Sequence, residues 1–113
     1  MMGATLAASG VNPVTSDAIV GSDACRRVLA GLATAGLYER SGEWFSETGL
    51  LSKSGVSGGL LSVIPNVGAL AAYSARVDES GTSVRGALAT KMVARQLHLG
   101  IFDAVWVVIP RTT

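Results

Sequence analysis

The sequence predicts an α+β chain in which helices pack on an antiparallel hairpin or sheet, and three observations lead there. Apolar residues recur at helical spacing over residues 22–35 and again over residues 82–97. Two short apolar runs, Leu60-Leu61-Ser62-Val63-Ile64 and residues 67–74, flank the turn pair Pro65-Asn66. Hydrophobic residues make up 49% of the 113 positions and charged residues 15%, a balance that calls for a packed core rather than a disordered tail. A chain of this length holds one domain, or one piece of one.

Residues 1–8 are apolar and helix-permissive but have no N-cap ahead of them, so they read as the last turns of a helix ending at Ser9-Gly10. Pro13 pushes Asn12 out of the α region and opens a surface loop that runs to Gly21. Ser22 is an N-cap candidate, Asp23 suits the positive helix end, and Cys25, Val28, Leu29, Leu32 and Ala35 share a face that Gly36 closes. Residues 37–51 read as irregular, with a Ser41-Gly42 turn and Trp44-Phe45 as an apolar anchor. After the hairpin, Thr82 or Ser83 can cap a helix whose apolar side is Val84, Leu88, Met92 and Leu97. Residues 104–110 turn to a β-branched run around Trp106. Two helices, part of a third and a single hairpin leave apolar sides uncovered, so the architecture is expected to be incomplete.

Composition also limits function. A formal net charge of +1 provides no broad basic field for nucleic acid or for an anionic membrane, so neither is an expected partner. Cys25 is the single cysteine, which rules out an intrachain disulfide and a thiolate metal cluster and fits a reducing cytoplasm. No Lys or Arg precedes Arg26, so the basic stretch of a secretory signal is not expected, and no apolar run approaches the roughly 20 residues of a spanning helix.

The stretch Lys53-Ser54-Gly55-Val56-Ser57-Gly58-Gly59 is the most informative. Clustered glycines before a buried strand let a backbone N–H near Val56 approach a ligand oxygen; on composition alone a tight turn with a solvated lysine is the favoured reading. The same residues satisfy G-x-S-x-G, but a nucleophile elbow at Ser57 needs a helix after it and a histidine base. A strand pattern follows instead, and the lone histidine, His98, lies late in a helix and reads as a surface residue. Tyr38 sits just past a helix-ending glycine, where a phenol can project into a cleft and relay protons. Taken alone, such a tyrosine is more commonly a half-buried packing residue. Asp78-Glu79 reads as a solvated turn.

Together the motifs resemble the glutaminase family, whose fold is akin to the serine β-lactamases. Ala4-Thr5-Leu6-Ala7 with Gly10-Val11-Asn12-Pro13-Val14-Thr15 is similar to the family's A-T-L-A-N-G-G-V-N-P-x-T-G. Residues 36–44 resemble G-M-Y-D-x-S-G-x-F, residues 51–59 resemble P-A-K-S-G-V-S-G-G, and residues 77–86 resemble L-D-x-x-G-N-S-V-x-G. Serines at 9 and 16 replace glycines of the pattern, Leu51-Ser52 replaces Pro-Ala, and Thr82 replaces asparagine.

The resemblance implies a partial serine β-lactamase-like fold, with residues 1–103 the C-terminal part of the domain and residues 104–113 an unmatched tail. It implies hydrolysis of L-glutamine to L-glutamate and ammonia through an acyl-serine, with no metal or other cofactor and commonly a homo-oligomer. By the same resemblance Tyr38 is catalytic and contacts the substrate, the Val56 N–H helps bind the oxyanion, and Lys53 is a fixed cation beside the site. The family's Ser-x-x-Lys nucleophile motif occurs nowhere in these residues. Met1-Met2 falls inside a helix-like segment, so the chain is expected to be cut off from its nucleophile and inactive alone. Its expected partners are L-glutamine and either further copies or the N-terminal portion of the same domain. The rival expectations are a non-catalytic module docking on an intact subunit, and a small serine hydrolase using Ser57.

Overall fold

A computed structural model describes residues 1–103. The elements in chain order are α1 (Met2–Ala7), α2 (Ser22–Ala35), a 3-10 turn (Tyr38–Arg40), α3 (Ser41–Thr48), β1 (Leu51–Ser54), β2 (Gly59–Ile64), β3 (Gly68–Tyr73) and α4 (Val84–Leu97). The strands form one antiparallel sheet in the order β1-β2-β3. Lys53 pairs with Leu61 across β1 and β2, and Leu61 pairs with Ala71 across β2 and β3, so these three share a face. A hairpin was expected; a third strand, β1, joins it. Ser52-Lys53-Ser54 has too little β-branched content to read as a strand, and its place is set by pairing with β2 and by the buried serines described below.

The sheet sits between two helical layers. Helix α1 lies so close to one face that a Cβ on Gly3 would stand 2.6 Å from Ala69 Cβ and 2.9 Å from Leu61 Cδ1. Helix α2 lies beside it over β1. Helices α3 and α4 cover the other face, and the main core lies there: Leu37, Trp44, Leu50, Leu60, Ile64 and Ala94 are all buried. Trp44 Nε1 donates to Ser52 Oγ at 2.9 Å, and Ser52 Oγ shares a 2.7 Å hydrogen bond with Ser62 Oγ, so this polar chain inside the core is satisfied end to end.

Several local expectations are corrected. Ser22 is the first residue of α2 rather than its cap; Gly21 holds the cap position and no side chain caps it. Gly36 ends α2 in a right-handed conformation, and glycine is required there because a Cβ would overlap Ser52 O. Residues 38–48 are helical, not irregular: Ser41-Gly42 starts α3 instead of making a turn, and Gly49 at φ 65 ends it. In α4 the expected apolar side points outward, with Leu88 58% and Met92 64% exposed, whereas Gly86, Thr90 and Ala94 are buried. Small residues win the inward face because the helix packs tightly on β3, where a Cβ on Gly86 would be 3.5 Å from Ala72 Cβ. On α2 only Cys25 of the expected face is fully buried.

Ser83 caps α4, accepting a 3.1 Å hydrogen bond from Gly86 N. Pro65-Asn66 makes the expected turn, with Val67 N donating to Ile64 O and Asn66 at φ 66. The two serines that replace family glycines, Ser9 at φ 58 and Ser16 at φ 65, both occupy left-handed backbone. The expected β-branched run at 104–110 and the tail at 104–113 lie outside the described residues.

Candidate active site

Tyr38 is delivered by the end of α2. Gly36 O accepts from Ser54 N at 3.1 Å and from Lys53 Nζ at 3.3 Å, which fastens the helix end to β1. Leu37 is buried, and its N–H donates to Ser41 Oγ at 2.9 Å. The Ser41 hydroxyl donates in turn to Tyr38 O at 2.7 Å. Between these clamps Tyr38 adopts φ 52. Left-handed backbone costs a residue with a Cβ about 1 kcal/mol, so the surroundings hold Tyr38 in a conformation it would not choose. Its side chain is half exposed, and Lys53 Nζ stands 4.7 Å from the ring centroid, within reach of a cation–π contact. Lys53 Nζ also donates to Ser54 O, so the cation is tethered at a short distance from the phenol ring.

Val56 stands in the β1–β2 hairpin turn. Gly58 N donates to Gly55 O and Gly55 N to Gly59 O, each at 2.9 Å, and Gly58 has φ 109. Val56 and Ser57 keep negative φ, so the connection is a type I turn closed by a left-handed glycine that bulges the following strand. Position i+1 of such a turn points its N–H away from the ladder. Among the described residues the Val56 N–H has no acceptor, and Val56 is 68% exposed. Ser57 lies in this turn with β2 directly after it and no helix, so the elbow reading has no structural support.

A third segment joins the first two. Asp78 Oδ1 accepts from Ser80 N at 2.9 Å and from Thr82 N at 3.1 Å, Gly81 N donates to Asp78 O, and Asp78 Oδ2 lies 3.4 Å from Arg40 Nη1. Arg40 also pairs with Glu43 at 3.0 Å, which raises the guanidinium pKa through that hydrogen bond and charge. Asp78 is therefore the organiser of its loop, not a solvated turn residue. The loop presents Gly81 at φ 81, and a Cβ built there would lie 3.0 Å from Val56 Cγ1 and 3.8 Å from Tyr38 Cε2. Tyr38 and Val56 thus flank the Cβ position of one glycine, and Lys53 Nζ lies over the Tyr38 ring. The sequence offered one sign of this, the Asp-x-x-Gly spacing of a type I turn at Asp78–Gly81. The clamping by Ser41 and the anchoring by Arg40 were not anticipated. His98 is exposed at the left-handed end of α4.

Next to this cluster, between α1 and α2, an open apolar cavity of about 500 Å³ runs over the sheet. Met2, Leu6, Val28, Leu32 and Leu61 line it, and Lys53, Ser54 and Gly55 form its end nearest the cluster. Among the described residues no group of three His, Cys, Asp or Glu side chains could hold a metal ion, and no helix is long and apolar enough to cross a membrane.

The sequence pattern of the family described as Glutaminase matches residues 1–102. Glutaminase 2 of Yersinia pestis is 44% identical over 102 residues, covering 90% of this chain and 30% of that protein. Glutaminase 1 of Escherichia coli (strain K12) is 48% identical over 101 residues, covering 89% of this chain and 33% of its own length. Among solved structures, the probable glutaminase ybaS superposes with a TM-score of 0.86 at 48% identity, over 89% of this chain and 33% of that one. The Bacillus subtilis glutaminase YbgJ, solved as a covalent complex with 5-oxo-L-norleucine, gives 0.86 at 30% identity, over 89% of this chain and 37% of its own. The chain spans about a third of the length of the curated relatives it matches. The expected α+β, partial β-lactamase-like fold is the one it shares with these glutaminases.

Proposed function

The chain belongs to the glutaminase family, and from that premise we propose that it supplies one wall of a site that hydrolyses the side-chain amide of L-glutamine to L-glutamate and ammonia. In this reading residues 1–103 are the C-terminal part of the family's domain. The nucleophilic serine comes from the remainder: its oxygen attacks the amide carbon, the C–N bond breaks as the leaving nitrogen takes up the serine's proton and departs as ammonia, and water then cleaves the acyl-serine. The Val56 N–H donates to the oxyanion, and the Tyr38 phenol contacts the substrate and carries a proton between serine and leaving group. Lys53, fixed over the Tyr38 ring, favours negative charge at that point.

One observation carries the reading: the Cβ position of Gly81 faces both Val56 and Tyr38, 3.0 Å from one side chain and 3.8 Å from the other, while the Val56 N–H has no acceptor among the described residues. The apolar cavity ending at Lys53, Ser54 and Gly55 supports the second half of it, since the relatives hold roughly twice as much chain again and the cavity opens beside the cluster. We assign that cavity to the remainder of the domain. Assembly into a homo-oligomer and a cytoplasmic setting belong to the same proposal, the latter supported by a single, free, buried cysteine.

The test is a chimera in which residues 1–102 replace the matching third of the Escherichia coli Glutaminase 1. It should release ammonia from glutamine, and Tyr38→Phe should cut the rate by about 10²-fold or more. The 113-residue chain alone should release none above background. A folded chimera without activity, or turnover by the isolated chain, overturns the proposal.

A further inference from the structure

Behind the Tyr38–Val56 cluster one polar atom stands out. Thr82 Oγ1 is the only fully buried side-chain nitrogen or oxygen among the described residues without a hydrogen-bond partner, and Thr82 is 4% exposed. A lone hydroxyl in a protein interior is costly, because it has given up water and gained nothing. Thr82 lines a small, partly open cavity of about 50 Å³ together with Asp78, Arg40, Glu47 and Lys91, while Leu37 and Ala87 supply apolar wall.

The contents of such a cavity follow from its size and charge. A buried water needs roughly 10–15 Å³ of reachable space and two to four polar neighbours, and this cavity meets both conditions. An organic guest is too large. An ion is disfavoured because the charged residues lining the cavity already balance, Arg40 against Asp78 at 3.4 Å and Lys91 against Glu47 at 2.7 Å. We propose that the Thr82 hydroxyl anchors an ordered water in this cavity, which ties the Asp78–Thr82 loop to Arg40 and to α4 and so positions Gly81 against Tyr38 and Val56.

The backbone of Thr82 already donates to Asp78 Oδ1, so the water gives the same residue a second hold on the loop, through its side chain. Thr82 is then a positioning residue, one that acts through the loop rather than on substrate. That functional consequence rests on the Tyr38–Val56 reading. The water site does not, and its test is kept separate.

A high-resolution crystal structure of the chain should show a water within about 3.2 Å of Thr82 Oγ1 and of at least one other polar group of the cavity. Thr82→Val keeps the shape and removes the hydroxyl. It should lose that water and speed hydrogen exchange at the amides of positions 81 and 82 about fivefold, the size of one ordinary hydrogen bond. Thr82→Ser keeps the hydroxyl and should stay within about twofold of the parent. In the chimera, Thr82→Val should lower kcat about fivefold with KM unchanged, and Thr82→Ser should restore it. An empty cavity, a halide in place of water, a direct hydrogen bond from Thr82 Oγ1 to a protein oxygen, or exchange in Thr82→Val equal to the parent overturns the proposal. If Thr82→Val does not fold, the parent crystal structure and Thr82→Ser decide the matter.

Discussion

Gly81→Ala is the most informative single change in the described fold, because one added carbon meets both candidate site residues. Gly81 has φ 81, and left-handed backbone costs a residue with a Cβ about 1 kcal/mol. The new Cβ would also stand 3.0 Å from Val56 Cγ1, closer than comfortable contact, and 3.8 Å from Tyr38 Cε2, which is ordinary contact. Val56 is exposed and can yield, so that crowding adds about 0.5 kcal/mol. The sum is about 1.5 kcal/mol, equivalent to a fall in Tm of about 7 °C for a chain of this size. Gly42→Ala is the matched control: it lies in α3 with nothing within 4 Å of its Cβ position, so alanine should stabilise by about 0.5 kcal/mol. Thermal and urea unfolding of the three proteins by circular dichroism reads the energies, and amide and ring NMR shifts at Val56 and Tyr38 read the contact. A Gly81→Ala protein as stable as its parent, with both residues unshifted, would refute the seating of this loop between them.

Other consequences follow from the same packing. Trp44→Phe removes the only donor from α3 to Ser52 Oγ and should cost about 2–3 kcal/mol in urea unfolding, since part of the buried Ser52–Ser62 chain loses its partner. Ser9→Gly and Ser16→Gly relieve left-handed strain and should each raise stability by about 0.5–1 kcal/mol, measured the same way. Glu47 is held below its ordinary carboxylate pKa by its hydrogen bond with Lys91, then by the charge of Lys91, against an opposing effect of burial. A carboxylate pKa lower in the folded than in the unfolded chain contributes stability above the unfolded value and loses it as pH falls through the folded one. Stability should therefore decline in acid below about pH 4.5, and Glu47→Gln should flatten that decline by less than about 1 kcal/mol, because the pair is partly exposed and screened.

How much of this was legible in the sequence depends on which force set each element. Helices α2 and α4 and strands β2 and β3 were readable because apolar periodicity or a Pro-Asn turn marks them directly. Strand β1 and helix α3 were not. Ser52 and Ser54 look like loop residues until Trp44 and Ser62 are seen to satisfy or bury them, and Ser41 looks like a turn residue until its hydroxyl is seen to fasten Leu37 and Tyr38. The outward Val84, Leu88 and Met92 misled for a related reason: periodicity marks an apolar stripe but does not say which neighbour covers it, and the sheet took the small-residue face instead. Tyr38 and Val56 were singled out by motif resemblance. Their common neighbour Gly81 and the Asp78–Arg40 anchor behind it arise from contacts between segments about 20 to 40 residues apart, which no local pattern encodes.

The proposed amide hydrolysis depends on the free Val56 N–H binding developing charge on the amide oxygen. Val56→Pro tests it with little disturbance to the fold, since proline suits position i+1 of a type I turn and the N–H it removes has no acceptor among the described residues. In the chimera with the Escherichia coli Glutaminase 1, kcat for glutamine should fall by about 10²–10³-fold with Tm within about 3 °C of the parent. Undiminished turnover by a folded Val56→Pro chimera would contradict it.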